Sequence, residues 1–183
     1  MESPRIAVVT ASLPERVEFR AECMAAVAAQ TLPPIAHIVH LDYERQGPAR
    51  CLNALTEAAL QAGAEWIAQI ADDDVMLTNH LATLATRIDA DIIYTYCHVE
   101  GRGGWNPNAP FDADRLRRGN YIPATSMIRA DLCAALGWRD DAEHGFEDWD
   151  FWLRALDQGA VFACVPEVTW RYRFHGSNLS TAL

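Results

Sequence analysis

The feature that most limits how this chain can fold is the run Trp66-Ile67-Ala68-Gln69-Ile70-Ala71, which leads straight into Asp72-Asp73-Asp74. A short apolar run reads as a strand buried in a sheet, and its end then delivers three carboxylates to the sheet's rim. Like charges held that close repel unless a cation joins them or their pKa values rise. A solvated acidic turn ahead of a helix would use the same residues. The choice between site and turn therefore falls to the rest of the chain.

Up to residue 99, strand and helix patterns alternate. Ile6-Ala7-Val8-Val9 is another short apolar run. Over 14–30, Val17, Ala21, Met24 and Ala28 recur at helical spacing with Glu15, Glu18 and Glu22 between them, which predicts an amphipathic helix. Pro33-Pro34 ends it, and residues 35–41 give a second strand ending at Asp42. Pro48 then opens a helix carrying Leu52, Leu55 and Ala59, which Gly63 closes. The third strand covers 65–71. Thr78 is the predicted N-cap of a helix with Leu81, Leu84, Ala85 and Ile88 on one face, and a fourth strand covers 91–99. This order predicts an α/β fold: a mostly parallel, Rossmann-like sheet flanked by helices.

The regularity breaks at 101–119, which holds Trp105, glycines, prolines and several charges and reads as a long surface loop. A strand over 120–129 and a short helix over 131–136, stopped by Gly137, come next. A helix over 147–158 carries Trp149, Trp152, Leu153 and Leu156 on one face, and two short strands follow over 161–165 and 168–174. No repeat or second domain is visible, so a single domain over 1–183 is expected.

Charge and cysteines narrow the function classes. A formal net charge of -10 disfavours bulk binding to nucleic acid or anionic membrane, since both need a positive surface. The five cysteines are widely spaced, with no Cys-x-x-Cys pair, and read as buried reduced thiols. The opening Met-Glu-Ser-Pro-Arg lacks a signal-peptide pattern, and no apolar run approaches the ~20 residues of a membrane span. A cytoplasmic enzyme is the expectation.

In a parallel α/β sheet, ligands bind beyond the carboxyl ends of the strands. Thr10-Ala11-Ser12, Asp42 and the triple aspartate all fall at that edge, although an aspartate such as Asp42 also commonly satisfies backbone donors in a turn. Further on, Phe146-Glu147-Asp148-Trp149 puts two acids at a helix start. Helix-dipole complementarity accounts for acids there. The flanking aromatics add desolvation, which would raise a carboxylate's pKa toward that of a general base. In Trp170-Arg171-Tyr172-Arg173-Phe174-His175, strand alternation separates an aromatic face from one with two guanidinium groups and an imidazole, suited to phosphate and metal.

These segments together resemble the family 2 glycosyltransferases, inverting and metal-dependent sugar transferases of GT-A fold. The opening strand with Gln30-Thr31-Leu32-Pro33, Asp42 after strand two, and Gly47-Pro48-Ala49-Arg50-Cys51-Leu52-Asn53 match in order. So do Asp72-Asp73-Asp74, the Glu147-Asp148 segment, and Tyr172-Arg173-Phe174-His175 followed by Ser180. The chain departs from the pattern at Ala71, where many relatives carry the first Asp of Asp-x-Asp-Asp. Either Asp72 and Asp74 form the D-x-D pair or Asp73 is the principal ligand. The short stretch Asp42-Tyr43-Glu44-Arg45-Gln46-Gly47 also lacks the usual second Asp and Ser-rich turn.

The resemblance implies Mn²⁺ or Mg²⁺ on Asp72, Asp73, Asp74 and His175. It implies a nucleotide-diphosphate sugar donor, a UDP-sugar first among them, in contact with Thr10, Ser12, Asp42, Arg50, Asn53, Asp72 and Arg173. Asp148 would be the base toward a hydroxyl acceptor, with Glu147 orienting it. Residues of about 1–99 would form the nucleotide-sugar half and about 100–183 the acceptor and catalytic half. Trp105, Trp138 and Trp149 are candidates for stacking on sugars, with core packing the alternative for each. A sugar-nucleotide binder without turnover and a metal-dependent phosphodiesterase are the competing readings.

Overall fold

The structure, a computed structural model, describes residues 3–101, 108–141 and 146–175. The first strand, β1 (Ile6–Ser12), is buried along nearly its whole length and pairs in parallel with β2 (Ala36–Leu41) and β3 (Trp66–Gln69). The seven-stranded sheet continues through β6 (Ser126–Arg129), β5 (Ile92–Glu100) and β7 (Phe162–Arg173) to β4 (Val75–Met76), in the order β2-β1-β3-β6-β5-β7-β4. β6 enters antiparallel to both β3 and β5, and β4 is antiparallel to β7. β5 and β7 are parallel, so β1, β2, β3, β5 and β7 share one direction, but with β6 and β4 reversed the sheet is mixed rather than mostly parallel in its pairings.

Strand alternation sends side chains into two cores. Ala7 and Val9 face one layer, where Leu55 of α2 (Pro48–Gln61), Cys133 of α5 (Ala130–Leu136) and Phe151 and Trp152 of α6 (Glu147–Asp157) pack. Ile6 and Val8 face the other, with Cys23 and Val27 of α1 (Val17–Ala28) and Leu81 and Leu84 of α3 (His80–Leu84). Trp138 stacks on Phe151 at 4.3 Å and meets Trp152 edge-on, making one aromatic block under the sheet. All five cysteines are free thiols.

Several local expectations change. In α1 the stripe Val17, Ala21, Met24 and Ala28 faces outward, with Val17 57% and Met24 46% exposed, while Cys23 and Val27 are buried. Apolar residues occupy both sides of this helix, so periodicity alone selects the wrong face. Asn79 rather than Thr78 precedes α3, which runs only five residues before a 3₁₀ turn over Ala85–Arg87. The 101–119 stretch is not all loop. It contains α4 (Ala113–Arg118), whose N-cap Asp112 accepts from the Arg115 amide at 2.9 Å. Trp105 lies outside the described residues. The expected strand over 120–129 shortens to β6, and the two C-terminal strands are one, paired to β5 across register shifts at Thr95, Tyr96 and Cys97.

Candidate active site

The carboxyl end of β3 opens into a cavity of about 630 Å³. One wall is the acidic turn, and a second is the start of α6 with Phe146, Glu147, Asp148 and Trp149. The segment between α4 and β6 contributes Asn120, Pro123 and Thr125. β7 supplies Trp170 and Tyr172, and Phe174 follows just past its end. The aromatic side of β7 therefore faces the cavity. Of the opposite side, Arg171 pairs with Glu100 at 3.0 Å and Arg173 with Glu22 at 2.6 Å.

The three aspartates are buried, each no more than 6% exposed, and each has at least one carboxylate oxygen engaged. Ser12 Oγ donates to Asp72 Oδ2 at 2.6 Å, and Arg20 Nη1 donates in turn to that Oγ at 3.0 Å. Arg16 Nη1 donates to Asp72 Oδ1 at 2.9 Å and to Asp73 Oδ2 at 3.0 Å. His175 Nε2 lies 2.9 Å from the same Asp73 oxygen, and its ring stacks on Phe19 of α1. Asp74 Oδ1 accepts the Arg173 amide at 3.0 Å. Burial, with Asp73 beside it, holds the Asp74 carboxyl well above the usual carboxylate range.

At the head of α6, burial first and the neighbouring Asp148 second push the Glu147 pKa up to about 7. Burial also raises Asp148, moderated by a hydrogen bond from Asn120 Nδ2 at 3.0 Å and one from the Trp149 amide at 2.7 Å. Trp149 Nε1 donates to the Leu116 carbonyl at 2.8 Å, tying α6 to α4. This pair has the setting for which the flanking aromatics argued: carboxyls with raised pKa values facing a cavity.

The fold brings together Asp72, Asp73, Asp74, Glu147 and Asp148 on the cavity wall, with Ser12 and His175 bonded directly behind it. Besides Arg173, whose guanidinium is on Glu22, four sequence-derived candidates sit elsewhere. Thr10 Oγ1 bonds His37 Nε2 at 3.0 Å and lies near Cys23, on the α1 side of the sheet. Asp42 accepts the Gln46 and Gly47 amides at 2.8 and 3.0 Å, closing the turn in which Gly47 takes a φ of 91°. Arg50 pairs with Asp140 at 2.5 Å. Asn53 clasps Trp138, its Oδ1 accepting the amide and its Nδ2 donating to the carbonyl, both at 2.9 Å. Trp138 belongs to the core, whereas Trp149 lines the cavity. Arg16 and Asn120 were not read from sequence. Arg16 carried a signal, a cation just past the end of β1 at the rim that receives the acids. Asn120 carried none, being inside an expected strand.

The donor types fit a hard divalent ion: carboxylate oxygens and one imidazole nitrogen, converging where Asp73 Oδ2 meets His175 Nε2. Among the described residues, no cluster of three or more His, Cys, Asp or Glu side chains is gathered tightly enough to hold a metal as it stands.

No protein-family model matches the chain. In sequence it is similar to the uncharacterized glycosyltransferase YwdF of Bacillus subtilis (strain 168), 29% identical over an alignment of 138 residues that covers 67% of this chain and 51% of that protein. In structure it is similar to S. aureus TarS 1–349 in complex with UDP-GlcNAc, with a TM-score of 0.76 at 13% identity over 98% of this chain and 61% of that one. It is also similar to the mannosyltransferase PcManGT from Pyrobaculum calidifontis in complex with GDP-Man and Mn²⁺, with a TM-score of 0.70 at 15% identity over 97% of this chain and 59% of that one. The fold is that of the GT-A glycosyltransferases. The chain spans 51% to 61% of the length of these three relatives. No helix among the described residues is long and apolar enough to cross a membrane.

Proposed function

We propose that this chain is a metal-dependent, inverting glycosyltransferase of the family 2 type, moving a sugar from a nucleotide-diphosphate donor to a hydroxyl acceptor. One observation carries the reading: the acidic turn of β3 and the Glu147-Asp148 pair of α6 line the same cavity. The first is suited to the diphosphate end of a donor and the second to proton transfer. The structural relatives in complex with UDP-GlcNAc and with GDP-Man and Mn²⁺ support a nucleotide sugar and a divalent ion as ligands, with UDP-sugars the first donors to try.

Held by Asp73 and His175 with Asp72 beside them, Mn²⁺ or Mg²⁺ would offset the charge that develops on the departing nucleoside diphosphate. Asp148 takes the proton of the acceptor hydroxyl at a carboxylate oxygen. Asn120 holds one oxygen of that carboxylate and the Trp149 amide the other, which fixes its direction. Glu147, titrating near neutrality, helps orient the acceptor. Trp170, Tyr172 and Phe174 give the sugar an apolar wall and exclude water from the reacting carbon.

The test is a panel of nucleotide sugars incubated with Mn²⁺, the protein and pooled hydroxyl acceptors, followed by nucleoside diphosphate release and mass spectrometry of the products. Transfer of a hexose-sized mass with inversion at the anomeric carbon supports the reading. Tight donor binding without turnover across the panel would replace it with a binding role.

A further inference from the structure

Arg16 sits on two of the carboxylate oxygens that the acidic turn would offer a divalent ion. It lines the cavity with its side chain 23% exposed, and one nitrogen of its guanidinium spans Asp72 Oδ1 and Asp73 Oδ2. That Asp73 oxygen is also the one His175 approaches. Ser12, itself held by Arg20, keeps the other Asp72 oxygen engaged, so the two acids stay turned toward Arg16. The arrangement answers the repulsion that three adjacent carboxylates create. A cation supplied by the chain already sits among them.

A guanidinium and a divalent ion compete for those oxygens, because both are cations and repel each other at so short a range. We propose that Arg16 is a resident counter-ion that the metal must displace. Without metal it neutralises Asp72 and Asp73 and holds the turn; when metal and nucleoside diphosphate arrive together, it leaves the carboxylates and turns to the phosphate oxygens, for which guanidinium geometry is well suited. This rests on the functional reading above and adds a coupling to it. Metal alone binds weakly, since displacing Arg16 strands a cation. Metal and diphosphate strengthen each other, since the second ligand gives that cation a new partner, and the coupling is reciprocal.

The experiment is calorimetric titration of MnCl₂ into the full chain and into Arg16→Gln, each with and without UDP, alongside thermal melts. The variant should melt lower without metal and bind Mn²⁺ alone more tightly by about tenfold or more, the scale of one charge-assisted hydrogen bond. UDP should strengthen Mn²⁺ binding in the wild type and do so far less in the variant. Unchanged or weaker Mn²⁺ affinity in Arg16→Gln, with normal uptake by the wild type, overturns the role of Arg16 and leaves the metal reading standing. No Mn²⁺ uptake by either protein, even with UDP, overturns both. If Arg16→Gln fails to fold without metal, added Mn²⁺ should restore its circular dichroism melt, because the ion replaces the missing cation. Failure to restore it counts against the proposal.

Discussion

Replacing Asn53 separates a ligand-binding residue from a structural clamp. The Asn53 amide meets the Trp138 backbone at both its N–H and its carbonyl, each at 2.9 Å, and joins α2 to the turn after α5. Trp138 is buried and stacked on Phe151, so water cannot easily take over these bonds. Asn53→Ala removes two hydrogen bonds and leaves the buried Trp138 backbone groups without their partner, at ~1–2 kcal/mol each. The expected loss is about 2–4 kcal/mol. In a chain of this length each kcal/mol moves Tm by roughly 2–4 °C, so Tm should fall on the order of 5–12 °C. Urea and thermal unfolding measure the loss, and titration of UDP with Mn²⁺ into the folded variant measures binding. Near-wild-type affinity at a lowered Tm is the expected pair of results. An unchanged Tm with lost UDP binding would refute the clamp and return Asn53 to the donor site.

The Glu147 pKa, raised from 4.5 to about 7, should place an ionisation near neutrality in the pH profile of transfer, and Glu147→Gln should abolish it; a profile unchanged in the variant would assign that ionisation elsewhere. Because the folded-state value lies above the unfolded one, Glu147 takes stability away as pH rises from about 4.5 to about 7, so Glu147→Gln should gain Tm over the wild type at pH 8 and little at pH 4. Asp148→Asn should keep Mn²⁺ and UDP affinity while transfer falls by roughly 10²–10⁴-fold. Asp73→Asn should instead weaken Mn²⁺-dependent UDP binding, and equal donor affinity in the two variants would remove the distinction between base and metal ligand. Gly101 holds a φ of 92°, and a Cβ there would stand 2.5 Å from the Phe174 carbonyl oxygen, so Gly101→Ala should cost ~1–3 kcal/mol or more in urea unfolding and disturb the approach to His175.

Much of this architecture was legible because its signals are local. The runs at Ile6 and Trp66 are apolar on both faces, as strands inside a covered sheet are, and the acids that follow the second fall at its rim. Glu147 and Asp148 announced themselves by aromatic neighbours, and the structure gives both carboxyls raised pKa values. What could not be read is who stands across from whom. Asp42, Arg50 and Asn53 lie at positions that suit a nucleotide in sequence order, yet Gln46, Asp140 and Trp138 meet them in space. The chain reverses between 101 and 125 without periodicity, so the place of Asn120 beside Asp148 depends on packing alone. Alternation in β7 assigned its two faces correctly but not their roles, because either an aromatic or a cationic wall could line a donor site.

The short antiparallel strand β6 has a consequence for how the chain acquires its shape. β3 and β5 both belong to the first hundred residues, yet they are not paired with each other; residues 126–129 bridge them through ladders on both sides. A nascent chain that has emerged only to residue 100 can lay down β1, β2 and β3 but has nowhere to seat β5. The sheet stays in two pieces until a segment far downstream slots in. Closing loops that long before any ladder rewards them makes folding slow, and the open edges of β3 and β5 are exposed to wrong pairing in the interval. A peptide carrying β6 and its flanks should therefore be captured by a chain truncated before it, as a missing strand supplied in trans.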